Sequence, residues 1–284
     1  MENNQLDLGK VVLVYGSHSR REDGVCFNEA VAWFAGRPHS DCPPCVSPAI
    51  RSFTMRLNDR WDDKRRQALV PFIPKVVGTN TNVADERRRA CLATDWLLRV
   101  CTPIWLDMAQ FPEEAAELRA LPEVMDETTA RAARKVAIRA RDKAHGVREE
   151  AWVKLTEADA PDAATDSFAN AYAYAAATAA AYAADSAVDA LAYVYAYAVY
   201  AAAASNSVAD AAYSADSAAG TCAIATAEAV YKGPTYAQHR QEIKGRILKE
   251  LGPTIEKVDA SALDLLNRMI AVGKTVEVIR SDAG

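Results

Sequence analysis

Four residues near the amino end have the types and spacing of a metal site. Cys26, His39, Cys42 and Cys45 form C-x12-H-x2-C-x2-C. Three thiols and one imidazole match a closed, structural zinc site. Against that reading, there is only one close C-x2-C pair, and Pro43 and Pro44 fill both positions between its members. Proline has no N–H to bond a coordinated sulfur. The same stretch also suits a thiol nucleophile. Cys26 follows Gly24-Val25 at the head of a helical pattern, where the helix dipole lowers a thiol pKa. His18 or His39 would take its proton, with Glu29 or Asp41 orienting the ring. Cys42 and Cys45 could instead be a redox dithiol, although no βαβ pattern surrounds them. The plain alternative makes Cys26 a small core residue, in front of a loop stiffened by Pro38, Pro43, Pro44 and Pro48.

No other catalytic pattern is present: the chain has no phosphate-binding loop, dinucleotide fingerprint, H-E-x-x-H or G-x-S-x-G. Cys91 and Cys101 fall on apolar helical positions and read as core, while His145 and His239 read as solvated. The amino end has no basic stretch followed by an apolar one. Six scattered cysteines then suggest reduced thiols in a cytoplasm rather than a disulfide framework. The longest uncharged apolar run, 190–204, is too short and too rich in alanine and tyrosine to span a bilayer.

The elements that must position these residues read mostly as helices. Lys10–Tyr15 is β-branched and predicts a short strand ending at Gly16. A helix follows from Cys26 to Ala35 and is stopped by Gly36 and Pro38. Ser47-Pro48 supplies an N-cap with proline at the first helical position, opening a helix to about Arg60. Further helices are predicted over 62–77, 83–101, 103–121 and 126–158, with Pro103 breaking the second from the third and Asp126 capping the last. The 126–158 helix is rich in arginine and lysine. It reads as a solvated face laced with acidic partners, since no aromatic stacking motif accompanies it and the whole chain is acidic. Helices over 235–251, ended by Gly252-Pro253, and 262–272, capped by Ser261 with Asp264, precede a strand-like alternation at 274–279.

Between Lys154 and Lys232 there is no lysine or arginine, and residues 160–231 are nearly half alanine. A unit of about twenty residues recurs there, headed by Asp166-Ser167, Asp185-Ser186 and Asn206-Ser207. Alanine makes helix the default, and the Asp-Ser or Asn-Ser heads are N-cap chemistry. One helix of about 65 residues would run roughly 100 Å. It would expose Tyr193, Tyr195, Tyr197 and Tyr200 around its whole girth. Antiparallel helices broken near Asp185 and Ser205 are therefore expected. The net charge of −5 belongs to this segment, because the flanking parts are each slightly basic.

One stretch also carries a resemblance. Gly16-Ser17-His18, Gly24-Val25-Cys26, Glu29-Ala30-Val31-Ala32-Trp33, His39-Ser40-Asp41 and Pro44-Cys45-Val46-Ser47-Pro48 resemble a family of uncharacterised actinobacterial and phage proteins. Arg56-Leu57-Asn58-Asp59, Pro71-Phe72-Ile73-Pro74, Val77-Gly78-Thr79, Asp95-Trp96-Leu97 and Thr102-Pro103 look like the same family. That family often has His where this chain has Cys42, and an alanine-rich tail is typical of it. The resemblance implies an origin and no established activity.

The expected fold is mostly α: a helical bundle with short terminal strands and an alanine-rich helical repeat. Its parts are an N-terminal helical domain over 1–158, the repeat over 159–232, and C-terminal helices over 233–284 packing back on the body. The expected function is non-enzymatic binding or assembly with one structural zinc on Cys26, His39, Cys42 and Cys45. The alternative is a Cys26-dependent hydrolase or transferase using His18 or His39, with Glu29. The expected partner is a protein or a second copy met through the alanine-rich helices, not nucleic acid or membrane.

Overall fold

The computed structural model describes residues 6–156, 164–195 and 236–274, with single positions 218, 221 and 224. The protein is mostly α, with no strand among the described residues. The elements are α1 (Phe27–Phe34), α2 (Pro48–Arg60), α3 (Asp63–Arg66), α4 (Ile73–Val76), α5 (Val83–Trp96), α6 (Thr102–Met108), α7 (Pro112–Arg119), α8 (Glu127–Thr156), α9 (Ala164–Tyr195) and α10 (Tyr236–Ala271). No described helix is long and apolar enough to cross a membrane.

Two helix starts form as their sequence dictates. Ser47 Oγ accepts the Ile50 N–H ahead of Pro48, and Asp126 Oδ1 accepts the Thr129 N–H at 2.8 Å. The Lys10–Tyr15 strand is not formed; only Leu13 pairs, in a single parallel bridge to Val25. Side-chain amides take the place of a partner strand. Gln67 accepts from the Leu13 N–H and donates to the Leu13 carbonyl, both at 2.9 Å, and Asn58 Nδ2 donates to the Val14 carbonyl. The expected closing strand lies outside the described residues.

Pro103 does not break its helix. The Thr102 N–H reaches the Leu97 carbonyl in a wider, π-type turn over Leu97–Cys101, and α6 continues from α5. The wider turn moves the carbonyl four residues back away from the proline ring. The expected 62–77 helix is instead α3, a 3-10 segment over Gln67–Phe72 and α4. The expected 103–121 helix divides into α6 and α7.

The C-terminal helix is a further correction. α10 runs through Gly252-Pro253 and through Ser261, which was expected to cap a separate helix. Ser261 Oγ donates to the Val258 carbonyl at 2.8 Å and accepts the Trp96 indole N–H at 3.0 Å. Pro253 lies on the exposed side, where losing one backbone bond is tolerated. The apolar face bearing Leu251, Val258, Leu265, Leu266 and Met269 is buried.

In the alanine-rich segment, α9 continues past Asp185 without a break; the second expected break lies outside the described residues. α8 and α9 form the most extensive helix pair among the described elements. Ala130, Ala133, Ala137, Ala140 and Ala144 of α8 are buried, as are Ala171, Ala175, Ala179, Ala183 and Ala187 of α9. Spacings of three and four put each set on one face, and methyl-only faces let axes approach toward the short end of the usual ~8–10 Å. His145 on α8 bonds Asp185 on α9 at 2.8 Å, so the residue expected to start a helix ties two helices together. One hydrophobic core joins residues from α1 to α10.

Arg89 locks these parts together. Its guanidinium has no exposed surface and pairs with Glu86 at 2.7 Å. It also donates to the Met269 and Val272 carbonyls at the end of α10, at 3.1 and 2.8 Å. Glu86 in turn accepts from Ser47 Oγ at 2.9 Å and from the Ala49 N–H. Arg89→Met should lower unfolding stability by about 3–5 kcal/mol, because it leaves a buried carboxylate without its counter-charge. Urea denaturation at neutral pH measures this, and a loss below about 1 kcal/mol would show that the pair is not needed.

Candidate functional site

The cysteine and histidine cluster is organised around Glu29 at the start of α1. Cys26 is the N-cap and Glu29 stands three residues on, the spacing of a capping box. The Cys26 sulfur accepts the Glu29 N–H, and the Glu29 carboxylate accepts the Cys26 N–H at 2.8 Å. Sulfur here takes the place of the usual Ser or Thr oxygen. The same carboxylate accepts the His18 backbone N–H at 2.6 Å and His18 Nδ1–H at 2.9 Å. His39 Nε2 donates to the His18 carbonyl at 2.8 Å and lies 3.7 Å from Glu29 Oε1. His18 is thereby held through its amide, its ring and its carbonyl.

Glu29 is 1% exposed. Burial works to raise its pKa, but the N–H groups of Cys26 and His18 outweigh burial and hold the carboxyl below its ordinary 4.5. Cys26 is shifted the other way. Burial pushes its thiol up to about 12, and the neighbouring Glu29 charge adds to the rise. The expected lowering of the Cys26 thiol at a helix start is therefore not found. A small pocket of about 80 Å³ borders Cys26, with Ser17, Asn28, Asp41, Asn58 and Asp59 in its wall. Neither His18 nor His39 lines it, so no imidazole stands across that space to take the thiol proton. His18 and Glu29 do come together, but as donor and acceptor of a fixed bond.

The four expected zinc ligands are differently placed. Cys26 is buried within the cap, Cys45 is half-buried and Cys42 is exposed. Burial and Asp41 both raise the Cys42 thiol above its ordinary value. Among the described residues, no three His, Cys, Asp or Glu side chains stand grouped to hold a metal ion. Cys91 and Cys101 are buried, as their apolar positions imply.

Several polar residues that organise the site or the helices around it were not singled out by their chemistry. Asn58 Oδ1 accepts the Phe27 N–H at 3.1 Å and so helps to seat α1. Thr79 Oγ1 accepts the Ser47 N–H at 3.0 Å, holding the end of the cysteine loop. Asp95 accepts a two-pronged bond from Arg99 and the Val124 N–H at 2.9 Å. No spacing or motif in the sequence distinguishes Asn58, Thr79 and Asp95, because their partners lie on other elements.

A scan against family models, a search of curated proteins and a search of solved structures each found no match.

Glu29→Gln keeps the side-chain shape but removes the charge and turns a donor toward donors. A loss of about 2 kcal/mol at pH 7 is expected, the scale of hydrogen bonds to a charged acceptor. Because the folded pKa of Glu29 lies below 4.5, its stabilisation is complete above 4.5 and is lost as pH falls through the folded value. The difference between wild type and variant should narrow in that acid range. Urea melts at pH 7 and in the acid range test this, and an unchanged difference would contradict it.

Proposed function

We propose that the chain is a non-enzymatic helical binding or assembly protein whose N-terminal loop is a structural joint. The observation that carries this reading is the state of Cys26 and Glu29. The thiol with the best sequence position for nucleophilic work is 5% exposed, raised to about 12, and engaged as a helix cap. The carboxylate beside it is occupied by three N–H donors. Buried, fully bonded polar groups of this kind fix a conformation and leave no acid or base free for substrate.

The alanine-rich hairpin supplies the assembly surface. Its alanine faces are turned on each other, and Trp152 and Val153 of α8 and Tyr182 of α9 remain 40–45% exposed. Tyrosine and tryptophan bring apolar area and a polar tip at once, which suits a protein partner or a second copy. The acidic neighbours of the α8 cations argue against nucleic acid: Arg139 pairs with Glu117, and Arg131 and Lys143 bond Glu127 and Glu114. An actinobacterial or phage origin, which the Gly16–Pro48 stretch implies by resemblance, is compatible with an assembly role.

Sedimentation across a wide concentration range should give a mass above that of one chain, reduced by Tyr182→Asp. Thiol labelling of the folded protein should modify Cys42 first, with Cys26 as slow as Cys101. A strictly monomeric chain whose Cys26 reacts faster than Cys42 would favour the alternative, a Cys26-dependent hydrolase or transferase using His18 or His39.

A further inference from the structure

Two indole N–H groups are anchored on α10, two residues apart. Trp96 donates to Ser261 Oγ at 3.0 Å, and Trp61, at the end of α2, donates to Asp259 Oδ1 at 2.8 Å. A hydroxyl accepts such a bond in the same way at any ordinary pH, whereas a carboxylate can take up a proton. The second anchor therefore differs from the first in kind. Trp61 is 2% exposed, and the Asp259 side chain is 17% exposed.

The charges that face Asp259 do not balance. Asp62, Lys64 and Arg65 come from the start of α3, and Glu256 from the preceding turn of α10; with Asp259 they line one surface groove. Three carboxylates thus meet two cations. Arg65 Nε is shared, at 3.7 Å from Asp259 Oδ2 and 3.5 Å from Asp62 Oδ2. Asp62 also caps α3, accepting the Arg65 N–H at 2.8 Å, and its side chain is 61% exposed. Of the two carboxylates on Arg65, Asp259 is much the more buried, so keeping it charged costs more. Burial is the main cause that holds the Asp259 carboxyl above its ordinary 3.8. The charges of Asp62 and Glu256 add to the rise, against the pull of the Trp61 N–H and Arg65.

We propose that this junction is an acid-tightened latch, in which proton uptake by Asp259 seats α10 more firmly on the corner between α2 and α3. One proton comes from solvent and bonds Oδ2, the oxygen on the Arg65 side. Oδ1 goes on accepting the Trp61 N–H, and Arg65 is left to Asp62. The excess of one negative charge in the groove is thereby removed. Because the folded carboxyl lies above 3.8, the added stability is fully present below 3.8 and is lost as pH rises through the folded value. Its sign is opposite to that of Glu29, whose stabilisation is lost in acid. The latch is independent of the assembly reading.

Asp259→Asn keeps an oxygen for the Trp61 N–H and lacks the charge. Urea unfolding of the full chain at pH 7 and at pH 4 tests the latch, since groups away from the junction titrate alike in both proteins. The variant should equal or exceed wild type in stability at pH 7, and wild type should gain on it at pH 4. A difference that stays constant, or a wild type that loses ground in acid, overturns the proposal. Carboxyl-carbon NMR of the unaltered chain gives a second measurement that does not require the variant to fold. The Asp259 resonance should titrate above the ordinary aspartate range, and titration at or below that range overturns the proposal as well.

Discussion

The carboxylate of Glu86 and the guanidinium of Arg89 meet in the interior, and through them segments distant in sequence share one polar node. Glu86 takes donors from Ser47 and Ala49 at the head of α2, while Arg89 takes the last carbonyls of α10. A cation at the carbonyl end of a helix is favoured by the helix dipole, and here burial strengthens the effect. Neither charge could sit in the core alone, since desolvation would exceed the gain without a partner. The pair therefore specifies where α2, α5 and α10 stop and start relative to each other. The cysteine loop is positioned by the same node, because Ser47 ends that loop and Thr79 bonds the Ser47 N–H.

Around this node the chain packs in two different ways. The amino-terminal body buries large side chains, with Trp96 and Trp105 almost wholly enclosed and Phe53 edge-on to Trp96 at 6.2 Å. The α8–α9 pair buries methyl groups, which contribute little area each but let two backbones come close. Long, regular contact makes up for small side chains. Polar links join the two systems, such as Thr102 Oγ1 to the Ala183 carbonyl at 3.1 Å and Arg139 to Glu117 at 3.0 Å.

Local chemistry was the legible part of the sequence. Ser47-Pro48 and Asp126 begin helices because a cap oxygen and the N–H that donates to it lie within three residues of each other. Gly252-Pro253 and Ser261 misled for the opposite reason. Trp96 holds Ser261, Arg89 holds the end of α10, and both lie far away in sequence. Lys10–Tyr15 has strand composition, but Gln67 and Asn58 supply its pairing from afar, which no spacing reveals. Cys26 was closer to being readable. Cys26 and Glu29 have the spacing of a capping box, hidden only because sulfur replaces oxygen, and that reading would have favoured a cap over a nucleophile.

Glu29 and Glu86 show how one fold stabilises two buried carboxylates by different means. Both hold the start of a helix. Glu86 has the permanent charge of Arg89 at 2.7 Å, which no ordinary pH removes. The bonded partners of Glu29 are backbone N–H groups and an imidazole, with a second imidazole at 3.7 Å, and none of them is a permanent cation. Hydrogen bonds alone keep it ionised against the cost of burial. The second helix start carries its own permanent cation, whereas the first keeps its charge by hydrogen bonds alone.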